Sequence, residues 1–190
     1  PHNKTVWIVQ AWDMSYNISI KFSDPRDRWL WVSRGIELLR DQALLYNPHE
    51  VLLYRELAWH FQHKIGHNLD DAHLFFKGAW AAQMQELFGG GRPPWDELAH
   101  PQTDNARDRA RRLREVYKLD LARMQKVDEL YGPLDWRLPE AHALYWAYVG
   151  KQEAKTQTDL IQLRRVIYQS MDMAFHRGRL IDAKLGEGFR

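Results

Sequence analysis

Four histidines lie close together in this chain: His60, His63, His67 and His73. On a helix, His60, His63 and His67 would share one face at i, i+3 and i+7, a spacing that zinc or nickel can use. The helix is expected to close at Gly66, however, which leaves His67 beyond its end. No His-Glu-x-x-His arrangement is present either. We therefore read surface histidines at a helix end and assign no metal and no cofactor. A second group is basic: Arg107, Arg109, Arg111, Arg112, Arg114 and Lys118 crowd one short helix. Such a cluster can meet phosphates. Asp104, Asp108 and Glu115 dilute it, and Tyr117 is its only aromatic residue. It reads as a solvated charged helix, which argues against nucleic acid as the partner. The glycines at 89–91 precede Arg92, not the Gly-Lys-Ser/Thr ending of a phosphate loop. There is no Cys nucleophile, no Gly-x-Ser-x-Gly elbow and no metalloprotease motif. No catalytic residue is assigned, and the chain is not expected to be an enzyme.

The elements that carry these residues sit in a chain of 190 residues, enough for one domain or one short repeat array. Hydrophobic residues make up 45% and charged residues 27%, the balance of a folded protein with a core. Nine Trp supply ring area for that core or for a contact surface. The net charge of +2 gives no global pull toward nucleic acid. The absence of Cys excludes disulfides and fits a reducing, cytoplasmic compartment, and equally an exported protein that lacks Cys. No apolar run approaches the length of about 18 residues that a membrane helix requires. The chain opens on Pro1, which resembles the end of an earlier unit. An excised fragment is expected, and a membrane anchor in a longer protein stays compatible with it.

The apolar residues follow a period near 3.6 throughout, so an all-α fold is expected, with no strand. Helices are expected at 3–21, 26–46, 50–65, 70–88, 105–118, 120–131, 139–154 and 158–177, with a short turn at 95–99. Ser23 or Asp24 is expected to cap the second helix, with Pro25 at its first position. Gly66 is expected to be a left-handed C-cap, Asp70 or Asp71 to cap the fourth helix, and Gly178 to stop the last. The tail at 185–190 reads as frayed.

Proline followed six positions later by an aromatic occurs three times, as Pro1 and Trp7, Pro48 and Tyr54, and Pro139 and Tyr145. Ala11, Ala58 and Val149 stand four residues beyond these aromatics. The first two copies stay in step: Trp7, Ala11, Met14 and Ile18 match Tyr54, Ala58, Phe61 and Ile65. Repetition of a helical unit is the mark of a helical repeat array. Tyr54, Leu57, Ala58 and Phe61, followed by Ala72, Phe76 and Ala79, resemble the tetratricopeptide repeat (TPR) pattern. The first unit matches it with Trp7, Ala11, Met14, Ala43 and Pro48, and the third with Tyr145, Tyr148 and Val149. The prolines are 47 and 91 residues apart, against about 34 in the family, so an irregular array is expected. The chain as a whole also resembles repeat proteins of planctomycete and verrucomicrobial type, a likeness that brings no assigned activity.

The resemblance implies TPR-like antiparallel helix pairs in a short, irregular solenoid. Residues 1–88 would form two pairs, 89–138 a loop and helical insertion, and 139–190 a degenerate third pair and tail. It also implies a peptide groove on the inner face of the first helix of each pair. Carried over, those positions are Thr5, Ile8, Trp12, Ser15 and Tyr16, then Leu52, Arg55, Trp59, Gln62 and His63. Of these, Ile8, Trp12, Tyr16, Arg55, Trp59, Gln62 and His63 are the candidate groove residues. The family's carboxylate clamp, a Lys and Asn set, is not visible there, which argues against a chaperone-tail adaptor. The expected role is a non-enzymatic scaffold with a protein or peptide partner. The alternative is a structural array that packs on further repeats or on a second copy, and nucleic-acid binding through the arginine-rich helix at 105–118 ranks third.

Overall fold

Local capping chemistry sets where the helices begin. The computed structural model describes residues 1–185, with side chains described through His176. Among these residues every regular element is helical. α1 (4–21) opens where the Asn3 side chain accepts the Thr5 N–H at 3.1 Å. α2 (25–46) opens where Asp24 accepts the Arg26 N–H at 2.8 Å, with Pro25 in the first turn. α3 (51–66) follows Asn47 and Pro48, and α4 spans His73–Phe88. α5 is the short turn Trp95–Ala99. α6 (Asp104–Glu115) is capped by Thr103 and α7 (Leu121–Tyr131) by Asp120. α8 is Pro139–Glu153, and α9 is Gln157–Leu185.

Two expectations are corrected. Gly66 is not a left-handed cap; among the described residues, Gly89, at φ 75°, is the glycine in that conformation. Gly66 lies instead at a close approach, where an added Cβ would stand 3.0 Å from the Phe61 carbonyl oxygen and 3.2 Å from Met173 Cε. Gly178 does not stop the last helix, which runs on to Leu185. A single Gly inside a helix costs only about 1 kcal/mol, too little to end one whose neighbours favour it. Asp70 does bond the start of α4, accepting the Ala72 N–H at 2.9 Å, although the regular helix begins at His73. Most of the frayed-tail reading, at 186–190, lies outside the described residues.

The proline–aromatic pattern has a physical cause in its first two copies. Trp7 Nε1 donates to the Pro1 carbonyl at 2.6 Å, and the Tyr54 hydroxyl donates to the Pro48 carbonyl at 2.7 Å. Each aromatic thus reaches back over the first turn and satisfies a carbonyl outside the helix. The third copy departs from this: the Tyr145 hydroxyl accepts the Asp120 N–H at 2.9 Å, tying α8 to the start of α7.

α1 and α2 pack antiparallel, the first half of α1 meeting the end of α2 and its second half the start. Gly35 makes this approach possible, since a Cβ there would lie 2.2 Å from Ser15 Oγ and 2.8 Å from the Ala11 carbonyl. α3 packs chiefly on α8, and α9 lies against both. The 89–138 segment folds over α4 and α8 through α6 and α7. It is fastened by Arg92, which donates to both Asp128 oxygens at 2.6 and 2.5 Å. One core runs through all of this, with Trp136, Tyr145, Phe61 and Phe76 its largest fully buried side chains.

The first three helices are not α-helical throughout. Asp13–Ile18 in α1, Leu38–Ala43 in α2 and His60–Gly66 in α3 are π-helical. A π turn takes in one extra residue and shifts every later side chain around the axis. Such segments are frequent at functional sites. Two of them, in α1 and α3, face one another.

Candidate functional site

The facing π segments bring together rings that lie far apart in the chain. Trp12 stacks on Tyr16 four residues later at 5.0 Å, and Trp59 stacks on His63 at 4.2 Å. The two i, i+4 pairs meet where Tyr16 lies 5.5 Å from Trp59. The Tyr16 hydroxyl and His63 Nδ1 are hydrogen-bonded at 3.0 Å. His60 stands edge-on to Tyr16, and its Nδ1 proton is donated to the Glu56 carbonyl at 2.8 Å.

Behind the rings is a buried ionic layer. Lys64 Nζ lies 4.7 Å from the Tyr16 ring centre and donates to Asp70 at 2.7 Å. Arg28, from α2, bridges Asp70 and Asp71 at 2.6 Å each. Burial works to raise the Asp70 carboxyl, but Lys64, the Ala72 N–H and Arg28 together hold it below the usual carboxylate range. Burial pulls Lys64 down, against the pull of Asp70. Burial also raises the Tyr16 phenol, with Glu56 and Asp70 adding to the shift, so Tyr16 stays protonated. His60 and His63 are both pushed down by burial, and His67 and Lys64 add to the effect on His63.

In front of the rings the surface opens into a cleft of about 680 Å³ between α3 and α9, with Trp12 of α1 at one side. Five of the seven candidate groove residues line it: Trp12, Arg55, Trp59, Gln62 and His63. Tyr16 stands behind them, bonded to His63. Ile8 is half-buried against the core and lies outside the cleft. Of the other carried-over positions, Ser15 is fully buried under Gly35, and Thr5 and Leu52 do not line the cleft.

The far wall is one that the repeat comparison did not supply. Gln162, Arg165, Val166 and Gln169 come from α9. Gln62 bolts this wall in place, its amide donating at 3.1 Å to both the Val166 carbonyl and Ser170 Oγ. Arg55 donates to Gln162 and to Glu56. His67 is also at the cleft, its ring 5.6 Å from His63. The i, i+3 and i+4 run from Gln162 to Gln169 along one helix face is the signal that could have found this wall.

Among the described residues, no group of three His, Asp or Glu converges to hold a metal. On the arginine-rich helix, Arg107, Arg109, Arg111 and Arg112 are each paired with a carboxylate, from Asp104, Glu97, Asp108 and Glu86 respectively. No described helix is long and apolar enough to cross a membrane. No protein-family model, no curated protein and no solved structure matches the chain.

Proposed function

We propose that this chain is a non-enzymatic, TPR-like interaction module that takes an extended peptide segment in the α3–α9 cleft. The observation that carries the reading is the cleft's lining. Trp12, 41% exposed, and Trp59 stand beside Arg55, Gln62 and His63. Trp, Tyr and Arg are the residues that most often carry binding energy at interfaces. The rings are held in place by stacking and by the ionic layer behind them, so little ordering remains for binding to bring about. Two repeated proline–aromatic carbonyl locks support the repeat-array part of the reading.

Panning short random peptides against wild type and Trp12→Ala/Trp59→Ala tests it. Peptides retained by wild type and lost by the variant are expected. Equal recovery on both proteins, or no recovery on either, would remove the cleft as a peptide site.

A second reading, an array that packs on a further copy of itself, is favoured by one feature. Ile161, Tyr168 and Phe175 recur every seven residues on α9 with Met171 between them, and all four are exposed. Sedimentation over a concentration series checks this, and a single monomeric species throughout would set it aside.

A further inference from the structure

We propose that the cleft selects an acidic peptide segment, with a side-chain carboxylate seated against Arg165 and flanking apolar atoms against Trp12 and Trp59. This rests on the reading of the cleft as a peptide site and names the chemistry of its occupant.

The charges of the lining point one way. Arg55, Arg165 and Glu56 are its ionised side chains. Glu56 is already engaged by Arg55, whose guanidinium also holds Gln162. Among the described residues Arg165 forms no ion pair, so it is the cleft's uncommitted charge. The neutral groups lean the same way. The Gln162 carbonyl is occupied by Arg55, which leaves its NH₂ to donate. Tyr16 keeps its phenolic proton and can donate it to His63 Nδ1, which places the neutral imidazole's proton on Nε2. A guanidinium, an amide NH₂ and an imidazole N–H are donors at one cleft, the set that a carboxylate accepts from.

The same groups disfavour a cationic occupant. The rings of Tyr16 and Trp59 would otherwise suit a cation. The Tyr16 ring already has Lys64 above it, and His63 already covers a face of Trp59. Arg55 and Arg165 at the walls would repel a second cation.

The test is the composition of peptides recovered from a random library, together with their affinity for Arg165→Glu read by tryptophan fluorescence. Arg165 is exposed, so this variant is expected to fold. Enrichment of Asp and Glu on wild type is expected, with binding of a recovered acidic peptide about tenfold weaker to Arg165→Glu. The same peptide with its acidic residues changed to Lys should bind Arg165→Glu better than wild type. Recovered peptides without acidic enrichment, or equal affinity for wild type and Arg165→Glu, would overturn the charge assignment and leave the peptide site standing. Recovery no better than on Trp12→Ala/Trp59→Ala would remove both.

Discussion

Two clusters of Trp, Tyr and His flank the same helix, and they differ in almost everything except residue type. On one side of α3, Trp59 and His63 join Trp12 and Tyr16 at an open cleft. On the other, Phe61 packs on Trp80 at 4.9 Å and on His142 at 5.4 Å, with Trp136 and Tyr145 beyond. The second cluster is closed. His142 is 1% exposed, and its Nε2 proton goes to the Trp136 carbonyl at 2.9 Å. It is core, and its histidine is a satisfied polar group within it. In the first cluster the polar groups face both ways, toward an ionic layer inside and toward solvent outside. Similar ring types thus serve as packing in one place and as a surface in the other. The neighbouring helices decide which.

Four measurements test this contrast. The largest effect is expected on the closed side, where Phe61→Ala should cost about 3–5 kcal/mol by urea unfolding. A loss as small as that of a surface change would show that the closed cluster is not core.

The next is a pH dependence. Burial pushes the His142 imidazole down to about 4, with the Trp136 carbonyl opposing and Arg40 adding to the fall. Its folded pKa lies below the unfolded one, so its stabilising effect is complete above pH 6.5 and is lost as pH falls toward 4. The unfolded chain takes up a proton that the buried ring refuses, so this group should remove about 3 kcal/mol across that window. His60, shifted down by burial on the cleft side, acts with the same sign. The stability–pH slope of His142→Gln should be shallower than that of wild type, and identical slopes would refute the assignment.

Gly35→Ala comes third. Its Cβ would strike Ser15 and the Ala11 carbonyl, at an expected cost of about 1–3 kcal/mol in thermal unfolding. A melting temperature equal to wild type would mean that α1 and α2 can separate without penalty. Smallest of all, Trp12→Ala should cost under about 1 kcal/mol in stability, because its ring is already well exposed. Its effect should appear in binding. A large destabilisation would move Trp12 from the cleft to the core and erase the contrast.

How far each region could be read in advance follows the range of the forces involved. Helix positions and starts were legible because caps such as Asp24 act within three residues. Trp12 and Trp59 were placed on one face by the repeat comparison, with Arg55, Gln62 and His63 beside them. The α9 wall was not placed, because it pairs with α3 across about a hundred residues through Gln62. Nor were the π segments, since Asp13–Ile18 and His60–Gly66 carry ordinary helix-compatible residues. The one in α3 is tied by tertiary contacts: Lys64, Asp70 and Arg28 bind the end of α3 to α2. Gly66 was misread because Gly has two uses, positive φ and close approach, and only the folded neighbours distinguish them.

The Gln62 bolt bears on the order in which this molecule becomes competent. Its partners lie 104 and 108 residues downstream. During synthesis, α1 and α3, with Trp12 and Trp59, leave the ribosome well before α9 does. Until then Trp12 and Trp59 have no opposing α9 wall. Only when the Val166 carbonyl and Ser170 arrive is the cleft complete. A ligand that needs both walls would therefore report a chain made through α9, and a chain truncated ahead of α9 would carry the tryptophans without the cleft.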